Sequence, residues 1–123
     1  MSQKILIIED DPVLSKMYAK KFEKDGFLVN LALYGEEGLE NIRADKPDIV
    51  LLDVMLPKID GYEVLKQIKA DENLKAIPVV LSTNLGGGNT DKENALKMGA
   101  IDFLVKSDHT PTQIVETIKK ILS

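Results

Sequence analysis

Apolar residues in this chain fall into short unbroken runs separated by segments of helical period. Ile5-Leu6-Ile7-Ile8, Ile49-Val50-Leu51-Leu52 and Val79-Val80-Leu81 contain no polar break, and each is followed closely by polar or acidic residues. Runs of this kind, bounded by turn formers, predict strands buried on both faces, as in a parallel sheet. Phe27–Leu31 and Ile101–Val105 each carry one polar interruption, Asn30 and Asp102, and predict less deeply buried strands.

Helical spacing fills the gaps. Pro12 is placed to open a helix capped by Asp11, with Leu14, Met17, Tyr18 and Phe22 on its inner face and Asp25-Gly26 at its end. A short helix over 36–43 turns Leu39 and Ile42 inward, and Lys46-Pro47 ends it. A third helix after Gly61 buries Val64, Leu65 and Ile68. Leu85-Gly86-Gly87-Gly88 predicts a mobile loop, and Thr90-Asp91-Lys92-Glu93 predicts a capping box opening a fourth helix that ends near Met98-Gly99. Thr110-Pro111 starts the last helix, with Ile114, Ile118, Ile121 and Leu122 as its stripe.

Five strand–helix units in strict alternation predict an α/β fold, a doubly wound five-stranded parallel sheet with helices on both faces. Placing the two interrupted strands at the edges gives the order 2-1-3-4-5. No linker or internal repeat breaks the pattern, so residues 1–123 read as a single domain.

Composition narrows the function more than the fold. A formal net charge of −4 argues against direct binding of nucleic acid, and the absence of cysteine removes disulfides and thiolate metal sites. No apolar run approaches the roughly 20 residues that span a bilayer, and Met1-Ser2-Gln3-Lys4 has no signal-peptide character. A cytoplasmic protein without a membrane partner is the expectation.

The chemistry gathers at the carboxyl ends of the strands, the edge where open α/β sheets bind ligands. The first strand delivers Glu9 and Asp10, the third Asp53, the fourth Thr83 and the fifth Lys106. Each has an ordinary reading when taken alone: Glu9-Asp10-Asp11 as a solvated helix start, Asp53 as a turn residue, Thr83 and Lys106 as surface groups, Met55 as packing, His109 as solvent-facing. Arrival at four neighbouring strand ends is harder to attribute to chance. Three close carboxylates need a cation, and oxygen donors alone suit a hard ion, Mg²⁺ above all. An ammonium and a hydroxyl beside them suit a transferable phosphoryl group.

These residues carry a resemblance. Ile-Ile-Glu9-Asp10-Asp11, Leu-Leu-Asp53-Val-Met-Leu-Pro57 through Asp60-Gly61, Thr83 and Val-Lys106 together resemble the receiver domain of bacterial two-component response regulators, over essentially the whole chain. The resemblance implies a flavodoxin-like sheet and a phosphorylation-dependent signalling switch, not an enzyme turning over an external substrate. It implies that Asp53 is the phosphoacceptor, and that Asp10, Asp53 and the Met55 carbonyl bind Mg²⁺ directly, with Glu9 acting through water. Lys106 would pair with the phosphoryl group and Thr83 would hydrogen-bond it. Phe103 would be the aromatic switch, turning inward as Thr83 moves. The implied partners are a sensor histidine kinase or phosphotransfer protein and a downstream output protein or domain, met on the face of the fourth helix, fifth strand and fifth helix.

Several positions depart from the family pattern. Ser107 stands where a cis-proline usually follows the lysine, and a cis bond to serine costs about 2.5–4 kcal/mol, so a trans bond or a strained cis one is expected. Asn84 replaces a small alanine and is expected to crowd the path of Phe103, itself often tyrosine in the family. Apolar Met55 and Leu85 imply slow self-dephosphorylation. Thr117 replaces an arginine common in receiver dimers, favouring a monomer over a phosphorylation-dependent dimer. A flavin protein is disfavoured by the acidic first loop, a phosphatase leaves Asp53 idle, and no Gly-x-x-x-x-Gly-Lys-Ser/Thr supports a nucleotide hydrolase.

Overall fold

Alternate residues of the unbroken strands face opposite sides of one sheet, and this sets the architecture. The structure, a computed structural model, describes residues 2–84 and 89–123, without the side chains of residues 89 and 90. The strands are β1 (Lys4–Ile8), β2 (Leu28–Ala32), β3 (Ile49–Asp53), β4 (Val79–Thr83) and β5 (Asp102–Val105). They are all parallel and run β2-β1-β3-β4-β5, so the two interrupted strands are the edges, as their sequences require. The helices are α1 (Pro12–Lys24), α2 (Gly35–Asp45), α3 (Gly61–Ala70), α4 (Asn89–Lys97) and α5 (Pro111–Leu122).

Leu6, Ile8, Val50, Leu52, Val79, Leu81 and Phe103 point to one face, where α2 and α3 cover them with Leu39, Ile42, Val64, Leu65 and Ile68. Ile5, Ile7, Ile49, Leu51, Val80 and Leu104 point to the other, against Tyr18 and Phe22 of α1 and Ile114, Val115 and Ile118 of α5. Each such side chain contributes about 1.5–3 kcal/mol when fully buried. A change of register by one residue would exchange the two faces, so the pairing is tightly specified.

Differences from the sequence reading lie at element ends and on single faces. The buried side of α1 is Ser15, Tyr18, Ala19 and Phe22, whereas Met17 is 41% exposed and Leu14 half-buried. Two small residues, Ser15 and Ala19, therefore take part in the buried face that Met17 does not join. The α2 helix begins at Gly35 and extends to Asp45, where Lys46 adopts φ 42°. On α5, Val115 is buried and Ile121 and Leu122 only partly so, and Thr110 with Gln113 forms a reciprocal capping box. The loop 85–88 and the proposed Thr90 cap lie outside the described residues, although α4 opens at Asn89, one residue before that cap.

Candidate functional site

The three acids after β1 separate by role. Asp11 caps α1: its Oδ1 accepts from the backbone N–H of Val13 at 3.0 Å and of Leu14 at 3.2 Å. Glu9 turns inward, 3% exposed, and its Oε2 accepts from the Asp11 N–H at 3.2 Å. Asp10 is exposed. A continuous apolar strand thus ends in one buried acid, one open acid and one helix cap.

Strand β3 brings Asp53 to the same edge, 4% exposed, with Oδ1 accepting from the Met55 N–H at 3.3 Å. The chain then doubles back so that Gly61 begins α3 against the end of β3. A Cβ on Gly61 would come within 2.4 Å of the Asp53 carbonyl oxygen and 2.8 Å of the Val54 Cα. Only glycine permits that approach, and the Gly61 N–H donates to the Val54 carbonyl at 2.9 Å. Asp60 caps α3 by accepting from the Glu63 N–H at 2.9 Å.

Ser82 lies level with Asp53 across the β3–β4 pairing, which places Thr83 one residue farther along, level with Val105. Thr83 is 4% exposed. After Val105 the chain forms a short 3-10 turn, Lys106–Asp108, and the Lys106 side chain runs inward, its ammonium bonded to the Glu9 carboxylate and 3.4 Å from Asp53 Oδ1. Burial pushes Glu9 up to about 7, against the pull of the Lys106 bond, and the Asp53 charge adds to the rise.

One ligand oxygen each from Glu9, Asp10 and Asp53 lies within 4.8 Å of the others. The donors are all carboxylate oxygens, one of the acids faces solvent, and Lys106 offsets one of the three charges. A small hard divalent cation that keeps part of its water shell fits this donor set. Glu9, Asp10, Asp53, Thr83 and Lys106 therefore share one edge, as their strand ends predict.

Met55 and His109 differ from their sequence readings. The Met55 side chain is 55% exposed and does not pack in the core. Phe103 faces inward, 6% exposed, and Asn84 is exposed. The described residues contain no cis peptide, so the Lys106-Ser107 bond is trans, one of the two states expected of it. His109 is half-buried, its Nδ1 3.0 Å from the Val105 carbonyl oxygen, and is not solvent-facing. Leu85, the second residue tied to phosphoryl lifetime, lies outside the described residues.

Residues 5–119 match the family model for the response regulator receiver domain. The chain belongs to this family. Membership gives it a phosphorylation-dependent signalling role without turnover of an external substrate, and receiver domains bind Mg²⁺ at an acidic pocket. The receiver is 34% identical over 122 residues to the alkaline phosphatase synthesis transcriptional regulatory protein PhoP of Bacillus subtilis, covering 99% of this chain and 49% of PhoP. It is 33% identical to protein PilH of Pseudomonas aeruginosa, covering 98% of each. The BeF3-activated receiver domain of Klebsiella pneumoniae RstA superposes with a TM-score of 0.84 at 31% identity, covering 95% of this chain and 96% of that one. The chain spans about half the length of several curated relatives it matches, at 45–49% of theirs. Among the described residues no helix is long and apolar enough to cross a membrane.

Proposed function

We propose that this receiver accepts a phosphoryl group on Asp53 from phosphohistidine of a sensor histidine kinase or phosphotransfer protein. The observation that carries the reading is the Asp53 carboxylate, buried at the end of β3 within 3.4 Å of the Lys106 ammonium and beside two further acids. An Asp53 oxygen attacks phosphorus, the phosphorus–nitrogen bond breaks, and the electron pair leaves on the imidazole, which takes a proton from solvent. When bound, Mg²⁺ supplies positive charge to the phosphoryl oxygens; Asp10, Asp53 and the Met55 carbonyl would hold it directly and Glu9 through water. Lys106 exchanges its carboxylate partners for a phosphoryl oxygen, and Thr83 donates its hydroxyl to another. Because β4 and β5 pair at Thr83 and Val105, movement of Thr83 reaches Phe103 and the α4–β5–α5 face, where the output partner binds. The apolar Met55 side chain leaves hydrolytic water without a polar guide, which gives a long-lived acyl phosphate.

The test is intact mass after incubation with Mg²⁺ and acetyl phosphate. The wild type gains one phosphoryl group, and Asp53→Ala gains none. An unmodified wild type, or an equal gain in the variant, overturns the reading.

A further inference from the structure

The turn that carries Lys106 lacks the proline that usually fixes it, and every described peptide is trans. Something else must hold the backbone from which the lysine reaches about its own length into the pocket. Both carbonyls flanking the Lys106 α-carbon side of this turn lead to one residue, His109. Its backbone N–H donates to the Lys106 carbonyl at 3.3 Å, and its ring Nδ1 lies 3.0 Å from the Val105 carbonyl oxygen. A carbonyl oxygen only accepts, so Nδ1 carries the proton in this contact. The ring is half-buried, which shelters the bond from water.

We infer that His109 is a positioning residue for Lys106, locking the trans 3-10 turn through its Nδ1–H bond to Val105 so that the ammonium is aimed at Glu9 and Asp53. The inference rests on the reading of Lys106 as the phosphoryl-binding cation. Val105 is the last residue of β5 and stands level with Thr83, so a carbonyl pinned there fixes the lysine relative to the strand end that carries the hydroxyl. The side-chain amide nitrogen of asparagine occupies the place of Nδ1, whereas that of glutamine lies one bond farther out.

Three proteins decide the matter: the wild type, His109→Leu, which keeps apolar bulk without the donor, and His109→Asn, which keeps the donor. The readouts are the rate of phosphoryl gain from acetyl phosphate at saturating Mg²⁺, the Mg²⁺ affinity by amide shift titration, and the ¹H–¹⁵N signal of the buried Lys106 ammonium. That signal is assigned by its loss in Lys106→Met. A misplaced ammonium slows His109→Leu by about ten- to a hundredfold. Its ammonium signal shifts or vanishes, its Mg²⁺ affinity rises because the ammonium no longer competes for Glu9 and Asp53, and His109→Asn matches the wild type in rate and signal. Wild-type rate and signal in His109→Leu overturn the inference, as does an equal loss in His109→Asn. Should His109→Leu fail to fold, His109→Gln replaces it with the same two outcomes. If the wild type itself takes up no phosphoryl group, the reading of Asp53 fails, and the ammonium signal still decides the place of His109.

Discussion

The Lys106 ammonium is bonded to the Glu9 carboxylate and stands 3.4 Å from Asp53 Oδ1, so one buried cation holds two buried acids together. All three side chains are about 5% exposed or less, where water cannot screen them. Removing the cation leaves like charges uncompensated. Lys106→Ala is expected to lose about 3 kcal/mol of stability in Mg²⁺-free buffer. Added Mg²⁺ should restore the variant by more than it stabilises the wild type, because it takes over the role of the missing charge. Urea unfolding of both proteins with and without Mg²⁺ checks this; equal Mg²⁺ effects would contradict it.

The close approach of α3 to the end of β3 makes Gly61 part of the site's frame. A methyl group there meets the backbone of Asp53 and Val54 with no flexible side chain to yield. Gly61→Ala is expected to cost about 1–3 kcal/mol by overpacking. It should also slow phosphoryl uptake, since the backbone that shifts is that of the acceptor itself. Thermal unfolding and acetyl phosphate kinetics on one sample measure both.

Tyr18 gives a pH dependence with a definite sign. Burial first, then the negative charges of Glu9 and Asp53, push its phenol from 10.0 up to about 12. Between those values the folded chain keeps a proton that the unfolded chain has released, so stability falls as pH rises through the window. Below pH 10 the phenol is neutral in both states and adds no slope. Tyr18→Phe is expected to flatten the decline between pH 10 and 12 relative to the wild type at matched pH, read from urea midpoints. A parallel decline in the two proteins would contradict this.

The loop between β3 and α3 carries a backbone cost. Lys58 is exposed and holds φ 69°, a left-handed conformation that side chains disfavour. Lys58→Gly removes that strain at the expense of a freer unfolded chain, and the expected net gain is about 0.5–1 kcal/mol. The shift in unfolding midpoint measures it, with phosphoryl uptake unchanged.

Much of this receiver was legible in its sequence because its chemistry stands where apolar runs stop. Asp53 and Thr83 end their strands, Glu9 and Lys106 follow theirs directly, and strand order alone brings them together. The sheet order followed from Asn30 and Asp102, polar residues that a central strand would not carry. Three things escaped. The inner face of α1 takes Ser15 and Ala19 and leaves Met17 exposed, which helical spacing of apolar residues does not reveal. Gly61 reads in sequence as a turn residue, and its need for space depends on a strand that ends eight residues earlier. His109 reads as a lone polar-loop histidine. The missing proline at Ser107 was the available sign that another group must fix the turn, but which group depends on a 3-10 turn that no periodicity announces.

In the proposed function Asp53 itself carries the phosphoryl group. Borohydride reduces an acyl phosphate to the alcohol, so the protein is treated with acetyl phosphate and Mg²⁺, reduced, digested and mapped by mass spectrometry. Homoserine is expected at position 53, with unmodified aspartate at positions 10, 11 and 60. Homoserine at any other position, or none after phosphoryl uptake, would contradict it.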